Sequence, residues 1–366
     1  MDVTPPMEVM GWTPEREAAF AEHAEAGLVP GRVVSQERDV VHAITASGPL
    51  DVYVQRGFRR SAAGPGSFPT VGDWIALEPL VDGDGALRTV LPRSSAFSRG
   101  QSERGGRASG QILAANVDTA LLVAALDRDF NLRRIERYLA LAWSSGAAPV
   151  ILLNKADVCD DVPGRVAEVA GIASETPIHP LSARTGSGLE VLDRYLVAGQ
   201  TLVLLGSSGV GKSTITNSLL GDQRQAVQTV RGDDHRGRHT TVRRELFLLP
   251  GGALLIDTPG LRAVGLVDAD EGLDSAFADI ALLAERCRFI DCSHGPEPGC
   301  AVRAAIESGQ LDETRLRSQQ KLQREIAATE RRSSPARSHA ESRRFGRVIR
   351  NACKTQDRLK GRQETD

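Results

Sequence analysis

The chain has 366 residues, 41% hydrophobic and 25% charged, a globular composition that excludes a disordered or collagen-like polymer and, at roughly 150 residues per domain, suggests two or three domains. Its longest apolar stretches, such as residues 119–126, are strand-sized and fall short of the ~18 residues a spanning helix requires; the opening MDVTPPMEV has neither the basic flank nor the apolar core of a secretory signal. The formal charge of −2 conceals a gradient, because from Arg315 onward 15 Lys/Arg face 6 Asp/Glu, a net of +9 that leaves −11 on the other 314 residues and hints at an anionic partner.

Residues 1–27 show no strand pattern and read as an N-terminal extension, with one amphipathic helix over 14–26. From Gly31 to about Val90 the pattern changes to short alternating runs (GRVVSQ, DVVHAIT, LDVYVQRG, DWIALE, ALRTVL) separated by Gly, Pro and Asp-Gly turns. Five such strands with no room for crossover helices predict a small β-barrel over 28–92, of the oligonucleotide-binding (OB) type or an SH3-like barrel, which leaves a similar trace. Residues 93–111, RSSAFSRGQSERGGRASGQ, are rich in Ser, Gly and Arg and read as a mobile basic linker loop. After Asn116 strands and helices alternate: strands over 119–125, 149–153, 178–181 and 201–205, helices over 132–143, 163–170, 189–196 and 212–220, then a hairpin of 242–249 with 253–257. Continuous apolar strands with intervening helices predict a mostly parallel sheet covered on both faces, spanning 112–268. A helical unit over 269–331 follows, then a basic tail over 332–366 whose Ser/Arg-rich start has the composition of a segment disordered until bound.

The segment GSSGVGKS at 206–213 (Gly206, Ser207, Ser208, Gly209, Val210, Gly211, Lys212, Ser213) fits the phosphate-loop pattern G-x-x-x-x-G-K-[ST], placed between an apolar strand and a helix that continues through Thr214. Its glycines let backbone amides cradle phosphate oxygens at a helix N-terminus. Lys212 then reaches the β- and γ-phosphates as the catalytic lysine, and Ser213 ligates Mg²⁺. DTPG ends the next buried strand, with Asp257 positioned for the Mg²⁺ shell and the Gly260 amide for sensing a γ-phosphate. NKAD (Asn154, Lys155, Ala156, Asp157) selects guanine in P-loop GTPases, because a carboxylate accepts from the ring N1–H and the exocyclic amine, a pair that adenine lacks. Ser182-Ala183 fits the companion motif, whose backbone amide faces the guanine oxygen. The guanine motifs here precede the phosphate loop, the reverse of the Ras order, so the domain is circularly permuted and rejoined through Ala198-Gly199-Gln200.

Beyond it, Cys287, Cys292, His294 and Cys300 are spaced C-x₄-C-x-H-x₅-C, three thiolates and an imidazole that close a tetrahedral structural Zn²⁺ site. Five cysteines, an odd number with three inside fourteen residues, point to metal chemistry in a reducing compartment rather than a disulfide framework.

Together the barrel, QILAANVD, the permuted NKAD–SA–GSSGVGKS–DTPG series, GRHTT and the Cys/His cluster resemble the ribosome small-subunit-dependent GTPase A family, over about residues 30–310. The fold implied is α/β: a circularly permuted P-loop GTPase domain with an N-terminal OB-like barrel and a C-terminal α-helical zinc-binding domain. The resemblance implies a cytoplasmic factor, with no membrane association and expected as a monomer, that binds the 30S ribosomal subunit and its 16S rRNA through the barrel and zinc domain. It further implies hydrolysis of GTP to GDP and phosphate, stimulated by that subunit, late in assembly. Leu261 stands where Ras-like enzymes place a water-orienting Gln, so another group must do this; His239 in GRHTT is the candidate, with His235 behind it. Thr240 or Thr241 is assigned to Mg²⁺ and the γ-phosphate, the doublet leaving both open. An alternative is a GTP-gated rRNA-binding scaffold in which hydrolysis is incidental; a third is a permuted GTPase acting elsewhere.

Overall fold

The structure is a computed structural model that describes residues 4–37, 40–61, 65–81, 83–102, 108–173, 175–221, 244–257 and 270–333. His235, His239, Thr240, Thr241, Gly260, Leu261 and all but the first two residues of the expected tail lie outside the described residues.

The N-terminal extension holds helix α1 (Pro14–Glu25), started by Thr13, whose hydroxyl accepts from Arg16 N, and by a proline in the first turn. Its one buried residue is Phe20; Trp12 packs edge-on against Phe20 and against Trp74 of the next domain, with ring centroids 5.7 and 4.7 Å apart.

Strands β1 (Val29–Glu37), β2 (Val40–Thr45), β3 (Gly48–Tyr53), β4 (Trp74–Pro79) and β5 (Gly85–Val90) follow. They close in the order β1-β2-β3-β5-β4 and back to β1, with β3 and β5 parallel and the short helix α2 (Arg56–Ser61) between β3 and β4. This is the OB-type barrel, and it settles the choice left open by the strand pattern. Alternate residues point inward, so Val33, Val41, Ala43, Val52, Ile75, Leu77 and Leu87 fill its core.

The segment expected as a basic loop is instead a hairpin, β6 (Ala96–Ser102) paired with β7 (Ala108–Ala115). Its polar tip hides it in sequence, but its foot carries Phe97, Leu113 and Ala114, all fully buried. Arg93, counted with the basic loop, is an internal residue: its guanidinium pairs with both oxygens of the fully buried Asp73 at 2.7 Å and donates to the Gly66 and Phe68 carbonyls. Burial raises the Asp73 carboxyl, and the hydrogen bonds from Arg93 oppose that rise.

The nucleotide-type sheet comprises β8 (Thr119–Ala125), β9 (Ala148–Asn154), β10 (Ile178–Pro180), β11 (Thr201–Leu205), β12 (Glu245–Leu248) and β13 (Leu254–Asp257), in the order β10-β9-β8-β11-β13-β12. All neighbours are parallel except the β12–β13 hairpin. Within β8, Leu121, Val123 and Ala125 face one layer while Ala120 and Leu122 face the other; both faces are buried, which explains the unbroken apolar runs. Helices α3 (Leu132–Ser145), α4 (Val162–Ala170) and α5 (Lys212–Leu220) make the crossovers; the helix expected over 189–196 is a 3-10 helix, Leu189–Arg194. Among the described residues a single partner pair, Ser35 with Glu245, joins β1 to β12, so barrel and nucleotide domain share one eleven-stranded sheet.

Helices α6 (Asp270–Ala276), α7 (Ala278–Ala284), α8 (Ala301–Glu307) and α9 (Glu313–Ser333) form the C-terminal unit. Helix α6 crosses α3 so closely that a Cβ on Gly272 would lie 2.3 Å from Ser144 N. Phe277 and Ile280 are fully buried here, each contributing about 2–3 kcal/mol by leaving water.

Candidate nucleotide site and metal cluster

The order of strand addition reverses between the parallel neighbours β8 and β11. From β8 the chain moves outward through β9 to β10, whereas β11 lies on the other side of β8, and crevices at the carboxyl ends of such strands are where α/β sheets bind ligands. The expected phosphate loop leaves β11 at this point. Gly206 has φ 152° and a Cβ there would sit 2.4 Å from Val123 O; Gly211, at φ 104°, would place one 2.1 Å from Asn154 Nδ2. Neither position accepts a side chain. Helix α5 starts at Lys212 with no side-chain cap, leaving its first-turn amides to an anion. Lys212 Nζ donates to Gly206 O at 2.7 Å and Ser207 O at 2.5 Å, which holds the amine over the loop. Ser213 and Thr214 lie exposed in that first turn. Asp257 ends β13, whose parallel register with β11 pairs Val203 with Ile256 and so brings this carboxylate beside the strand that feeds the loop.

The guanine motifs gather at the same edge. Asn154, only 3% exposed, donates from Nδ2 to Val210 O at 2.7 Å and accepts from Ala183 N at 2.9 Å, pinning the phosphate loop to the Ser182-Ala183 loop. Of the Ser182-Ala183 pair, one of whose backbone amides is expected to face a guanine oxygen, the Ala183 amide already has a partner in Asn154. Ala156 N donates to Leu181 O at 3.1 Å, which ties the two loops again. Lys155 adopts a left-handed φ of 64° and its Nζ donates to Asp127 Oδ2 at 2.7 Å, so its stem is held in place across the cleft. The Asp127 carboxyl lies below its ordinary value chiefly through that hydrogen bond. Asp157 accepts from Ser182 Oγ on Oδ1 at 2.6 Å and from Arg184 on Oδ2; the Ser182 bond is the main cause holding its carboxyl low, with Arg184 adding to it.

Three of these partners carried no motif signal. Asp127 and Arg184 are found only by asking what faces Lys155 and Asp157. Arg134, in the first turn of α3, donates to Ser207 Oγ at 2.8 Å and fastens the phosphate loop to that helix. The next turn of α3 holds the fully buried Glu136, which accepts from Arg133 at 2.6 Å, Arg315 at 3.0 Å and Ser318 Oγ at 2.5 Å. Arg315 also grips Asp279 through two bonds of 2.5 and 2.7 Å, and Arg137 pairs with both oxygens of Glu325. Arg315, counted above at the start of the +9 C-terminal stretch, is thus a buried strut between α9 and α3.

The four metal-type ligand atoms of Cys287, Cys292, His294 and Cys300 lie within 4.8 Å of one another. A tetrahedral Zn²⁺ with bonds of about 2.3 Å to sulfur and about 2.0–2.1 Å to nitrogen requires separations of about 3.8 Å between sulfurs and about 3.6 Å from sulfur to nitrogen. The structure has 3.9 Å for Cys287–Cys300, and 3.7 and 3.6 Å from His294 Nδ1 to Cys287 and Cys300, so these three match such an ion, with Cys292 Sγ within 4.8 Å of each as the fourth ligand. Cys300 also caps α8, accepting from Arg303 N, and His294 turns through a left-handed φ of 57°. Gln320 of α9 reaches Ser293 O, joining the cluster to the strut described above.

The family model described as RsgA GTPase matches residues 90–267. A small ribosomal subunit biogenesis GTPase RsgA of Opitutus terrae is 44% identical over 365 residues, covering 97% of this chain and 99% of that protein. The protein of the same name from Streptomyces coelicolor is 48% identical over 346 residues, covering 91% and 90%. Among solved structures, YjeQ from Thermotoga maritima superposes with a TM-score of 0.62 at 28% identity, covering 82% of this chain and 99% of that one. YloQ, a circularly permuted GTPase, superposes at 0.58 with 22% identity over 82% and 96%, a likeness of fold. With both motif sets converging on one crevice of a permuted sheet and relatives aligned along nearly the whole chain, the protein belongs to the RsgA family of circularly permuted GTPases.

Proposed function

We propose that this chain binds GTP in the crevice at the ends of β8, β11 and β13 and hydrolyses it to GDP and phosphate in the service of small ribosomal subunit assembly. The observation that carries the reading is Asn154: one buried amide bonds both the phosphate loop and the Ser182-Ala183 loop, so the two halves of a nucleotide site are built as one unit. The loop amides of 206–211 and Lys212 take the phosphates, and Asp157 reads the base, with Lys155 along its face. Mg²⁺ would be held by Ser213, with Asp257 in its shell, and would supply neutralisation of developing phosphate charge. Thr240 or Thr241, Gly260 and the water-positioning His239 remain proposals from sequence, with Lys212 the catalytic residue among those the structure describes.

Cys287, Cys292, His294 and Cys300 would hold one structural Zn²⁺, with no coordination position left for a reacting water. The partner is the 30S subunit, contacted on its 16S rRNA through the barrel and the metal unit, and the protein acts as a cytoplasmic monomer. Among the described residues no helix is long and apolar enough to cross a membrane.

The test is GTP turnover by the purified protein with and without 30S particles, across a salt series. Slow intrinsic turnover, strongly accelerated by 30S and suppressed by salt, is expected. Fast turnover indifferent to 30S refutes the reading, and a Ser213→Ala protein that leaves the subunit on schedule favours the scaffold alternative.

A further inference from the structure

Arg184 is the residue beside the base-reading motif that the motif itself does not use. It follows Ser182-Ala183 and turns back on Asp157, donating from Nε at 3.1 Å and from Nη2 at 2.6 Å, both to Oδ2. Oδ1 is held separately by Ser182 Oγ at 2.6 Å. The N1–C2–N2 edge of guanine is chemically a guanidine, with two adjacent N–H donors, and a carboxylate reads it as it reads an arginine. Arg184 therefore offers Asp157 the same functional group as the base.

Resting on the guanine reading above, we propose that Arg184 is an internal competitor for Asp157, exchanged for the guanidine edge of the base, and hence a residue that tunes specificity by narrowing the preference for guanine over a base with one donor. The exposures favour exchange in one direction. The Arg184 side chain is 76% exposed and that of Asp157 15%, so the arginine can withdraw into water while the carboxylate keeps its bond from Ser182. An exposed pair of this kind is worth little, so guanine displaces it at a cost of a few-fold in affinity. A base with one donor leaves Oδ2 to the arginine, and adenine, lacking the pair, cannot dislodge it at all. The low position of the Asp157 carboxyl agrees, since Arg184 is among its causes.

The experiment compares binding of GDP and inosine diphosphate, which lacks the 2-amino group, to the wild-type protein and to Arg184→Met by titration calorimetry with Mg²⁺. Methionine keeps an apolar stem but has no donors. Exchange predicts that GDP binds Arg184→Met roughly 2–5-fold more tightly and that inosine diphosphate does not, so the ratio of the two Kd values widens by that factor. Equal tightening of both, which means mere obstruction, overturns the proposal, as does unchanged or weaker GDP binding, which means an orienting role. A far-UV spectrum and melting curve check that the variant is folded, and Arg184→Lys, with a single ammonium, should recover part of the wild-type ratio. Should the wild-type protein prefer GDP to ADP while the ratio stays fixed, this proposal alone fails; should it show no such preference, the guanine reading fails first.

Discussion

Glu136 is the residue whose removal should most damage the union of the nucleotide domain with the C-terminal helices. Its carboxylate is fully buried on α3 and accepts from Arg133, Arg315 and Ser318. Truncating one partner of a buried ion pair costs about 3–5 kcal/mol, because the other is left charged without compensation. Arg315 retains its two bonds to Asp279 and one to the Ala276 carbonyl, which places Glu136→Ala at the low end, about 3 kcal/mol. At about 2–4 °C per kcal/mol for a unit of this size, the melting temperature followed by far-UV circular dichroism should fall by about 6–12 °C. Replacing both partners with apolar residues, Glu136→Leu with Arg315→Met, removes the uncompensated charge and should recover most of that loss, since Asp279 is 38% exposed and hydrates. A single variant that melts within 2 °C of wild type, or a double variant worse than the single, would refute the assignment of Glu136 as the central acceptor.

Asn154→Ala leaves Val210 O and Ala183 N unpaired, at about 1–3 kcal/mol in total, so GDP affinity by calorimetry should fall roughly 10–100-fold with little change in secondary structure. The Asp157 carboxyl is held low mainly by Ser182, so base recognition is present above its pKa and lost as pH falls through it. Ser182→Ala lets that pKa rise toward its ordinary value, and the acid limb of the GDP-binding profile should move to higher pH; an unmoved limb contradicts the assignment. Purified protein should carry one zinc per chain by elemental analysis, and Cys300→Ser, which keeps a hydroxyl to cap α8, should lose the metal and with it thermal stability while GDP affinity stays near wild type.

The nucleotide domain is legible in sequence because its strands are buried on both faces and its loops carry glycines at fixed spacing. Strands 119–125 and 201–205 and helix 212–220 fall where their apolar runs place them. The β6–β7 hairpin is not legible, because the burial seen among the described residues centres on Phe97 and the residues around Leu113, and the intervening Ser/Gly/Arg-rich sequence carries no apolar alternation. Arg93 and Arg315 look like surface charge until Asp73, Glu136 and Asp279 come into view, partners 20 to 179 residues away. The meeting of β1 with β12 at one residue pair has no local signature either, since a register partner from another domain leaves no trace in periodicity. The same holds at the site: motifs located Asn154, Asp157 and Lys212, while Asp127, Arg134 and Arg184 emerge only from the contacts those residues make.

The permutation also has a kinetic meaning. Strand β11 occupies the middle of the sheet, between β8 and β13, yet it is made after β8, β9 and β10, and its partner contact with the start of β8 spans 83 residues. A growing chain therefore presents the flank of β8 as an open edge until residue 205 is available, and such edges invite mispairing. Closing that gap is a long-range event that slows folding. The strand that brings the phosphate loop is also the one that covers the open edge of β8, with β13 still to pair on its far side, so nucleotide added during refolding acts on a late, long-range step rather than the first.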